Sequence, residues 1–147
     1  ASMTVAEVQR FGIPPKVAFL SHSSFGSSSS ASAKKMRLAR DLFAAANPDI
    51  ECDGEMHGDA AMSDDIRKAY LPGSTLSGSA NVLICPNLDS ANILFNVLKI
   101  TSSEGVTVGP VLLGSSAPVH ILNQSSTVRR YVNMIALAAA NAGASKA

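Results

Sequence analysis

The stretch VLICPNLDSANILFNVL, residues 82–98, decides the fold class. Its first four residues are apolar, which is typical of a buried strand, and Pro86 ends the strand because proline has no N–H to donate. Asp89 or Ser90 then begins a helix whose apolar side chains recur at helical spacing. These side chains are Ile93, Leu94, Val97 and Leu98. The stretch therefore predicts a strand followed directly by a helix.

The same alternation extends along the rest of the chain. Further strands are predicted at residues 16–21, 50–53, 111–113 and 119–122, and further helices at residues 4–11, 32–46, from Ser63 to the turn at Pro72, and 127–141. Alternating strands and helices predict an α/β fold with three layers, α/β/α, around a mostly parallel sheet. We expect one domain over residues 1–142 and a loose tail over residues 143–147.

Two of these helices carry an apolar stripe that is expected to face the core. In the helix at residues 32–46 the stripe consists of Met36, Ala39, Leu42 and Phe43. In the final helix it consists of Val128, Tyr131, Val132, Ile135 and Ala139.

Composition excludes several classes of protein. Hydrophobic residues make up 46% of the 147 residues and charged residues 16%, which is too apolar for a disordered chain. A net charge of +1 indicates neither a nucleic-acid partner nor a membrane partner. No apolar run approaches the length of a membrane span, and residues 1–10 lack the pattern of a signal peptide.

Cys52 and Cys85 have no paired spacing, so we expect buried reduced thiols and a cytoplasmic protein. The start Ala1-Ser2-Met3 suggests a segment cut from a longer chain.

Two polar segments are candidate anion sites, because ligands of parallel sheets bind beyond the carboxyl ends of the strands. The first reads SHSSFGSSSS, and its candidate binding residues are Ser21, Ser23, Gly26 and Ser27. It is either a phosphate-binding loop or a flexible serine loop. The second opens the final helix, and its candidates are Ser125, Ser126, Thr127, Arg129 and Arg130. Its arginines either bind an anion or are solvated.

A third segment gathers acidic residues and a histidine at alternate positions. These are Glu51, Asp53, Glu55, His57 and Asp59. On one strand face they would suggest a metal site, but Gly54 and Gly58 interrupt the strand. Hydrogen bonding within loops is the better interpretation, and no metal site is predicted. The three histidines also lack the spacing of a catalytic triad.

The order of the motifs resembles the phosphotransacetylase family. The motifs are LSHSSFGS, DGEMHGDAAM, LPGSTLSGSANVLICPNLDSANI, GPVLLG, APVHIL and VRRYVNMIALAA. The resemblance covers nearly all of this chain and about the second half of the family's. It implies a fold shared with isocitrate and isopropylmalate dehydrogenases, and acetyl transfer between coenzyme A and phosphate in a cleft between two domains.

This chain departs from the family at its catalytic positions. A gapless match of the final helix places Asn123 at the family's serine, Gln124 at its phosphate-binding arginine and Arg130 at its aspartate base. Gln124 has no charge to neutralise phosphate, and a guanidinium stays protonated and is no base. The resemblance therefore implies a domain without catalytic residues.

The segments at residues 78–81 and 127–134 are similar to the C-terminal phosphotransacetylase-like domain of bacterial NADP-dependent malic enzymes. This similarity implies a regulatory domain that binds acetyl-CoA as an effector and assembles the oligomer. Asn123 and Gln124 join the candidate ligand-binding residues, and helices near Leu42-Phe43 and Ile93-Phe95 are candidates for self-association. NADP and Mg or Mn would belong to a malic-enzyme domain in cis. The alternative is an active phosphate acetyltransferase.

Overall fold

A sheet of three parallel strands organises the first part of the chain. The central strand, β1 (Lys16–Leu20), pairs on one side with β2 (Glu51–Met56) and on the other with β3 (Val82–Ile84). The predicted parallel sheet and the three strands predicted in this part of the chain are confirmed.

The structure is a computed structural model that describes residues 1–101, 108–124 and 126–144. Its helices are α1 (Ser2–Arg10), α2 (Ala31–Ala46), α3 (Gly58–Met62), α4 (Asp64–Tyr70), α5 (Leu88–Thr101) and α6 (Val128–Ala144). The chain divides into two compact units, Ala1–Ile93 and Leu94–Ala147. Because α6 continues to Ala144, it includes the first two residues of the predicted tail, and residues 145–147 lie outside the described residues.

The strand β1 is buried on both faces, as its apolar run predicts. Val17 and Phe19 point to one face, where the Phe19 ring packs against Phe43 of α2 with the ring centroids 5.7 Å apart. Ala18 and Leu20 alternate with them and are also buried. The other buried side chains of the first face are Val5, Met36, Cys52 and Val82.

The pairing of β1 with β2 shifts by one residue near the ends of the strands. Phe19 lies opposite Gly54, whereas Leu20 lies opposite Met56, so Glu55 is an extra residue in β2. Position 54 requires glycine because its φ is 137° and a Cβ there would lie 2.6 Å from the Phe19 carbonyl oxygen. The shift takes Glu55 out of the strand pairing.

A buried arginine ties α4 to two other segments of the chain. Arg67 is 1% exposed, and its guanidinium donates to the Asp64 carboxylate at 2.6 Å. It also donates to the carbonyl oxygens of Ala60 at 3.1 Å, Leu76 at 3.3 Å and Gly78. One side chain therefore connects α3, α4 and the loop that leads to β3.

The helix predicted to start at Ser63 is confirmed as α4, and Ser63 caps it. The Ser63 hydroxyl accepts a hydrogen bond from the Ile66 N–H at 3.3 Å, and Asp64 and Asp65 occupy the first turn. Hydroxyl caps and acidic first turns both stabilise a helix N-terminus.

The strands predicted at residues 111–113 and 119–122 are wrong. Neither segment pairs as a strand within the described residues. Each follows a proline, Pro110 or Pro118, and Ile121 is 71% exposed. A run of three or four apolar residues forms a strand only where a neighbouring strand supplies hydrogen-bond partners, and the run itself does not specify one.

The predicted inner stripe of α6 is also wrong. Met134 and Arg130, four residues apart, are 1% and 6% exposed, so they mark the buried face of the helix. The predicted stripe is exposed at Val128, Tyr131, Val132, Ile135 and Ala139. Periodicity locates an apolar face but not the surface that covers it.

Two smaller findings concern the cysteines and the helices. Cys52 is buried, as predicted, whereas Cys85 is only partly buried, and both are free thiols. Burial raises the pKa of each thiol. Among the described residues, no helix combines the length and apolarity that a membrane span requires.

Candidate functional site

The loop that follows β1, residues 21–30, is built around the buried carboxylate of Glu55; we call it the serine loop. The Ser23 hydroxyl donates to Glu55 Oε1 at 2.7 Å, and the Gly26 N–H donates to the same oxygen at 3.0 Å. The Phe25 N–H donates to the Glu55 carbonyl oxygen at 2.9 Å. The one-residue shift in β2 thus supplies the acceptor that shapes the loop.

Hydroxyl groups complete the hydrogen bonding of the serine loop. The Ser23 hydroxyl accepts from the Ser28 N–H at 3.0 Å, and the Ser27 hydroxyl accepts from the Ser24 N–H at 3.0 Å. The Ser21 hydroxyl accepts from the Ser23 N–H at 3.1 Å. The N–H groups of residues 23–28 are therefore all engaged inside the protein. The loop has a defined shape, and an anion there would depend on other donors.

An arginine completes the surroundings of Glu55. Arg37 Nε of α2 lies 3.4 Å from Glu55 Oε2, and the Arg37 guanidinium also donates to the Ser28 carbonyl oxygen at 3.0 Å. Burial alone would raise the pKa of Glu55, but hydrogen bonds from Ser23 and Gly26 and the charge of Arg37 outweigh it. The pKa therefore lies below its usual value, and Glu55 is ionised at neutral pH.

The alternating acidic segment forms hydrogen bonds in separate places. Asp53 accepts from the Thr75 N–H at 2.8 Å, and Asp59 accepts from the Ala60 N–H at 2.7 Å. His57 Nε2 lies 2.9 Å from the His22 carbonyl oxygen. The hydrogen bonding predicted for this segment is confirmed, but the predicted interruption at Gly54 is wrong, because β2 continues through it and carries Glu51, Asp53 and Glu55. Across the described ranges, no group of three His, Cys, Asp or Glu side chains could hold a metal ion.

A cavity of about 480 Å³ opens beside the serine loop. It lies beyond the carboxyl ends of two strands, since Ser24 follows β1 and His57 follows β2, which is where parallel sheets bind ligands. The lining residues are Ser24, His57, Asp59, Ala60, Ile66, Tyr70 and Leu71. No sequence pattern predicts this cavity, because its walls come from three segments whose proximity depends on the fold.

The second group of candidate residues lies in the second unit, at the start of α6. The Thr127 hydroxyl accepts from the Arg130 N–H at 3.2 Å, which is the geometry of a helix cap. The Asn123 carbonyl oxygen accepts from the Ser126 N–H at 3.0 Å and from the Tyr131 hydroxyl at 3.2 Å. These contacts bring Asn123, Ser126 and Tyr131 together at the turn that leads into α6.

The two arginines of this turn differ in exposure. Arg129 is exposed, whereas Arg130 is 6% exposed. Gln124 is exposed, and Ser125 lies outside the described residues. The serine loop belongs to the first unit and these residues to the second. Their joint binding of an anion stays a prediction.

Comparison with known proteins gives consistent results. The family model described as phosphate acetyl/butaryl transferase matches residues 1–139. An NADP-dependent malic enzyme of Salmonella typhimurium is 55% identical over 142 residues, covering 97% of this chain and 19% of that protein. An NAD-dependent malic enzyme of Rhizobium meliloti is 54% identical over 136 residues, covering 92% of this chain and 18% of that protein.

More distant matches are transferases. A phosphate acetyltransferase of Nitrosomonas europaea is 36% identical, covering 99% of this chain and 21% of that protein. The crystal structure of a phosphotransacetylase from Streptococcus pyogenes superposes with a TM-score of 0.85 at 32% identity, covering 95% of this chain and 42% of that one. The chain thus spans about a fifth of the length of the curated relatives it matches.

Proposed function

The chain belongs to the phosphate acetyl/butaryl transferase family, and on that premise we propose that it is a regulatory domain of a malic enzyme that binds acetyl-CoA without transferring its acetyl group. The difference in identity carries the proposal. Malic enzymes match at 48–55%, whereas phosphate acetyltransferases match at 34–36%. The malic-enzyme relatives are also much longer than this chain, which supports a malic-enzyme domain in cis.

The residues at the start of α6 support the absence of acetyl transfer. Arg130 stands where the resemblance places the base, and a guanidinium cannot take a proton from a thiol at neutral pH. Gln124 stands where a phosphate-binding arginine is expected, and an amide supplies no charge. Asn123 stands at the serine position, where its amide can donate to a thioester carbonyl. Binding without turnover is the chemistry that these three side chains favour.

Within the described residues, this chain offers no site that fits NADP or the divalent metal of malate oxidation. The sequence contains no G-x-G-x-x-G fingerprint for a dinucleotide. Its described residues include no cluster of three metal-binding side chains. Under this proposal both groups belong to the malic-enzyme part of a longer protein. Relatives named for NADP and for NAD match almost equally, which supports placing the choice of coenzyme outside this domain.

Calorimetric titration of the chain with acetyl-CoA tests the proposal. We expect saturable binding, and we expect Arg129→Ala to weaken it about tenfold, since one charged hydrogen bond contributes about that factor. We choose Arg129 rather than Arg130 for this test because the Arg129 side chain is exposed and the Arg130 side chain is buried. The matched control is Arg10→Ala, which removes an exposed arginine on α1 and is expected to leave binding unchanged.

The same samples test the alternative function. An assay with acetyl phosphate and coenzyme A is expected to show no turnover. Turnover in the range of about 1 to 1,000 per second would overturn the proposal and favour an active phosphate acetyltransferase. If the titration shows no binding of acetyl-CoA, the regulatory role is contradicted.

Self-association is the second part of the proposed function. Leu42, which the sequence predicts to face the core, is 63% exposed, and Ile93 is 66% exposed. Phe43, by contrast, is 5% exposed and belongs to the core. Further exposed apolar side chains of α5 are Leu88, Val97 and Ile100. Exposed apolar faces of this kind favour contact with another subunit.

We expect the chain to sediment as a dimer or larger species at tens of micromolar, a common range for dimer affinities. Ile93→Ser should shift the distribution toward monomer because it places a hydroxyl in the apolar face of α5. Val8→Ser is the control, because it makes the same change at a partly buried side chain of α1 that packs against the core. It is expected to leave the proportion of monomer unchanged. Sedimentation of the unmodified chain as a monomer would contradict self-association.

A further inference from the structure

The polar lining of the cavity beside the serine loop offers hydrogen-bond acceptors to a ligand. His57 Nε2 lies 2.9 Å from the His22 carbonyl oxygen, so this nitrogen donates to the serine loop. Asp59 accepts from the Ala60 N–H with Oδ1, and Oδ2 makes no hydrogen bond within the described residues. Ser24 adds a hydroxyl. A ligand that presents N–H donors would match these groups.

The charge of the lining disfavours a phosphate group. Asp59 is the acidic side chain of the lining, and no lysine or arginine is among the lining residues. Phosphate would therefore meet the Asp59 carboxylate with no lysine or arginine to offset its charge. The ligand group that enters this cavity should be neutral or cationic.

The apolar lining suits a flat group. Tyr70 is 79% exposed, so the face of its ring is open to stacking. Ala60, Ile66 and Leu71 supply aliphatic contacts. A volume of about 480 Å³ falls within the usual range for small-ligand sites.

We propose that this cavity binds a flat heterocycle bearing an amino group, with the ring against Tyr70 and the amino group directed to Asp59. This assignment deepens the function proposed above and rests on it in one respect, that the heterocycle is the adenine of acetyl-CoA. The phosphates of the ligand then lie outside the cavity. The acetyl end is left for other residues.

Titrations with nucleosides test the cavity directly, without phosphate or acetyl groups. We expect adenosine to shift the backbone amide NMR signals of Ser24, His57, Ala60 and Tyr70 in the ¹⁵N-labelled chain. Inosine carries a carbonyl oxygen in place of the amino group. It should bind several times more weakly, because this oxygen and the Asp59 carboxylate are both acceptors and cannot form a hydrogen bond with each other. Tyr70→Ala should weaken adenosine about tenfold, the order of a base-stacking contact.

Two further variants sharpen the assignment. Asp59→Asn retains the oxygen that caps Ala60 and is expected to reduce the preference for adenosine over inosine. Lys68→Ala is the matched control, since Lys68 is an exposed residue of α4 outside the lining and should leave adenosine binding unchanged. Adenosine shifts confined to other residues, or equal affinity of Tyr70→Ala and the unmodified chain, would overturn the proposal.

Binding of acetyl-CoA and of S-acetylpantetheine separates this inference from the function on which it rests. We expect Tyr70→Ala to weaken acetyl-CoA about tenfold and to leave S-acetylpantetheine, which has no adenine, unchanged. If acetyl-CoA does not bind while adenosine occupies the cavity, the regulatory function fails and the heterocycle site stands. If acetyl-CoA binds equally well to the unmodified chain and to Tyr70→Ala, the regulatory function stands. The assignment of the adenine to this cavity is then overturned.

Discussion

Replacing Arg67 with alanine is expected to destabilise the first unit by about 3–5 kcal/mol, since each buried acceptor left without its donor costs about 1–3 kcal/mol. The substitution leaves the carbonyl oxygens of Ala60, Leu76 and Gly78 without the donor that now satisfies them. It also opens a cavity, because Arg67 is the largest of the fully buried side chains. Urea unfolding followed by circular dichroism measures the change.

The control for Arg67 is its neighbour on α4. Lys68 pairs with the same Asp64 carboxylate, but its side chain is 74% exposed, so Lys68→Ala should change the free energy of unfolding little. Arg67→Lys should lie between the two, because an ammonium group keeps the charge but cannot reach all four acceptors. Equal unfolding midpoints for Arg67→Ala and Lys68→Ala would show that the buried contacts contribute nothing.

Glu55→Ala is expected to cost about 3 kcal/mol, the lower end of the range for a broken buried pair, since Arg37 retains access to water. The substitution removes the acceptor of the Ser23 hydroxyl and the Gly26 N–H. Glu55→Gln keeps an oxygen for these donors and loses only the charge, so it should cost less. Comparison of the two variants by urea unfolding separates the loop contacts from the ion pair.

The charge of Glu55 also makes stability depend on pH. Because its pKa is lower in the folded chain than in the unfolded chain, its contribution is present above the unfolded value of about 4.5. It is lost as the pH falls through the folded pKa. Glu51 and Asp64 have pKa values lowered by hydrogen bonds from Ser77 and Lys68, and they act with the same sign.

We therefore expect the unmodified chain to lose stability as the pH falls from about 5, and Glu55→Gln to lose less over the same window. Urea midpoints at several pH values measure this difference. Parallel curves for the two proteins would mean that the Glu55 charge contributes nothing to folding.

The sequence predicted the elements that have a strong local cause. Four apolar residues before Pro86 indicated β3, and Ser63 with two acidic residues after it indicated the start of α4. The final helix was likewise predicted to start at residue 127, where Thr127 caps it, because capping depends on residues within three positions. These predictions succeeded because neighbours in the chain are also neighbours in space.

The role of Glu55 could not be predicted in the same way. Its partner residues, Ser23 and Gly26, precede it by about thirty positions, and an acidic residue in an alternating pattern is equally typical of a metal site or a solvated edge. The prediction that the apolar stripe of α6 faces the core failed for a related reason. Val132 and Ile135 form an apolar face, but whether another part of the chain packs on that face depends on contacts that periodicity does not encode.

Because the serine loop depends on Glu55, the loop cannot be moved to another protein by itself. A protein engineer who moves only residues 21–30 to another scaffold would move a loop whose internal acceptor stays behind. The portable piece is β1 with the loop, together with β2 and its required Gly54, because the one-residue shift in β2 places Glu55 beneath the loop. Arg37 of α2 completes the set. Loop replacement in this protein therefore becomes the exchange of a strand pair.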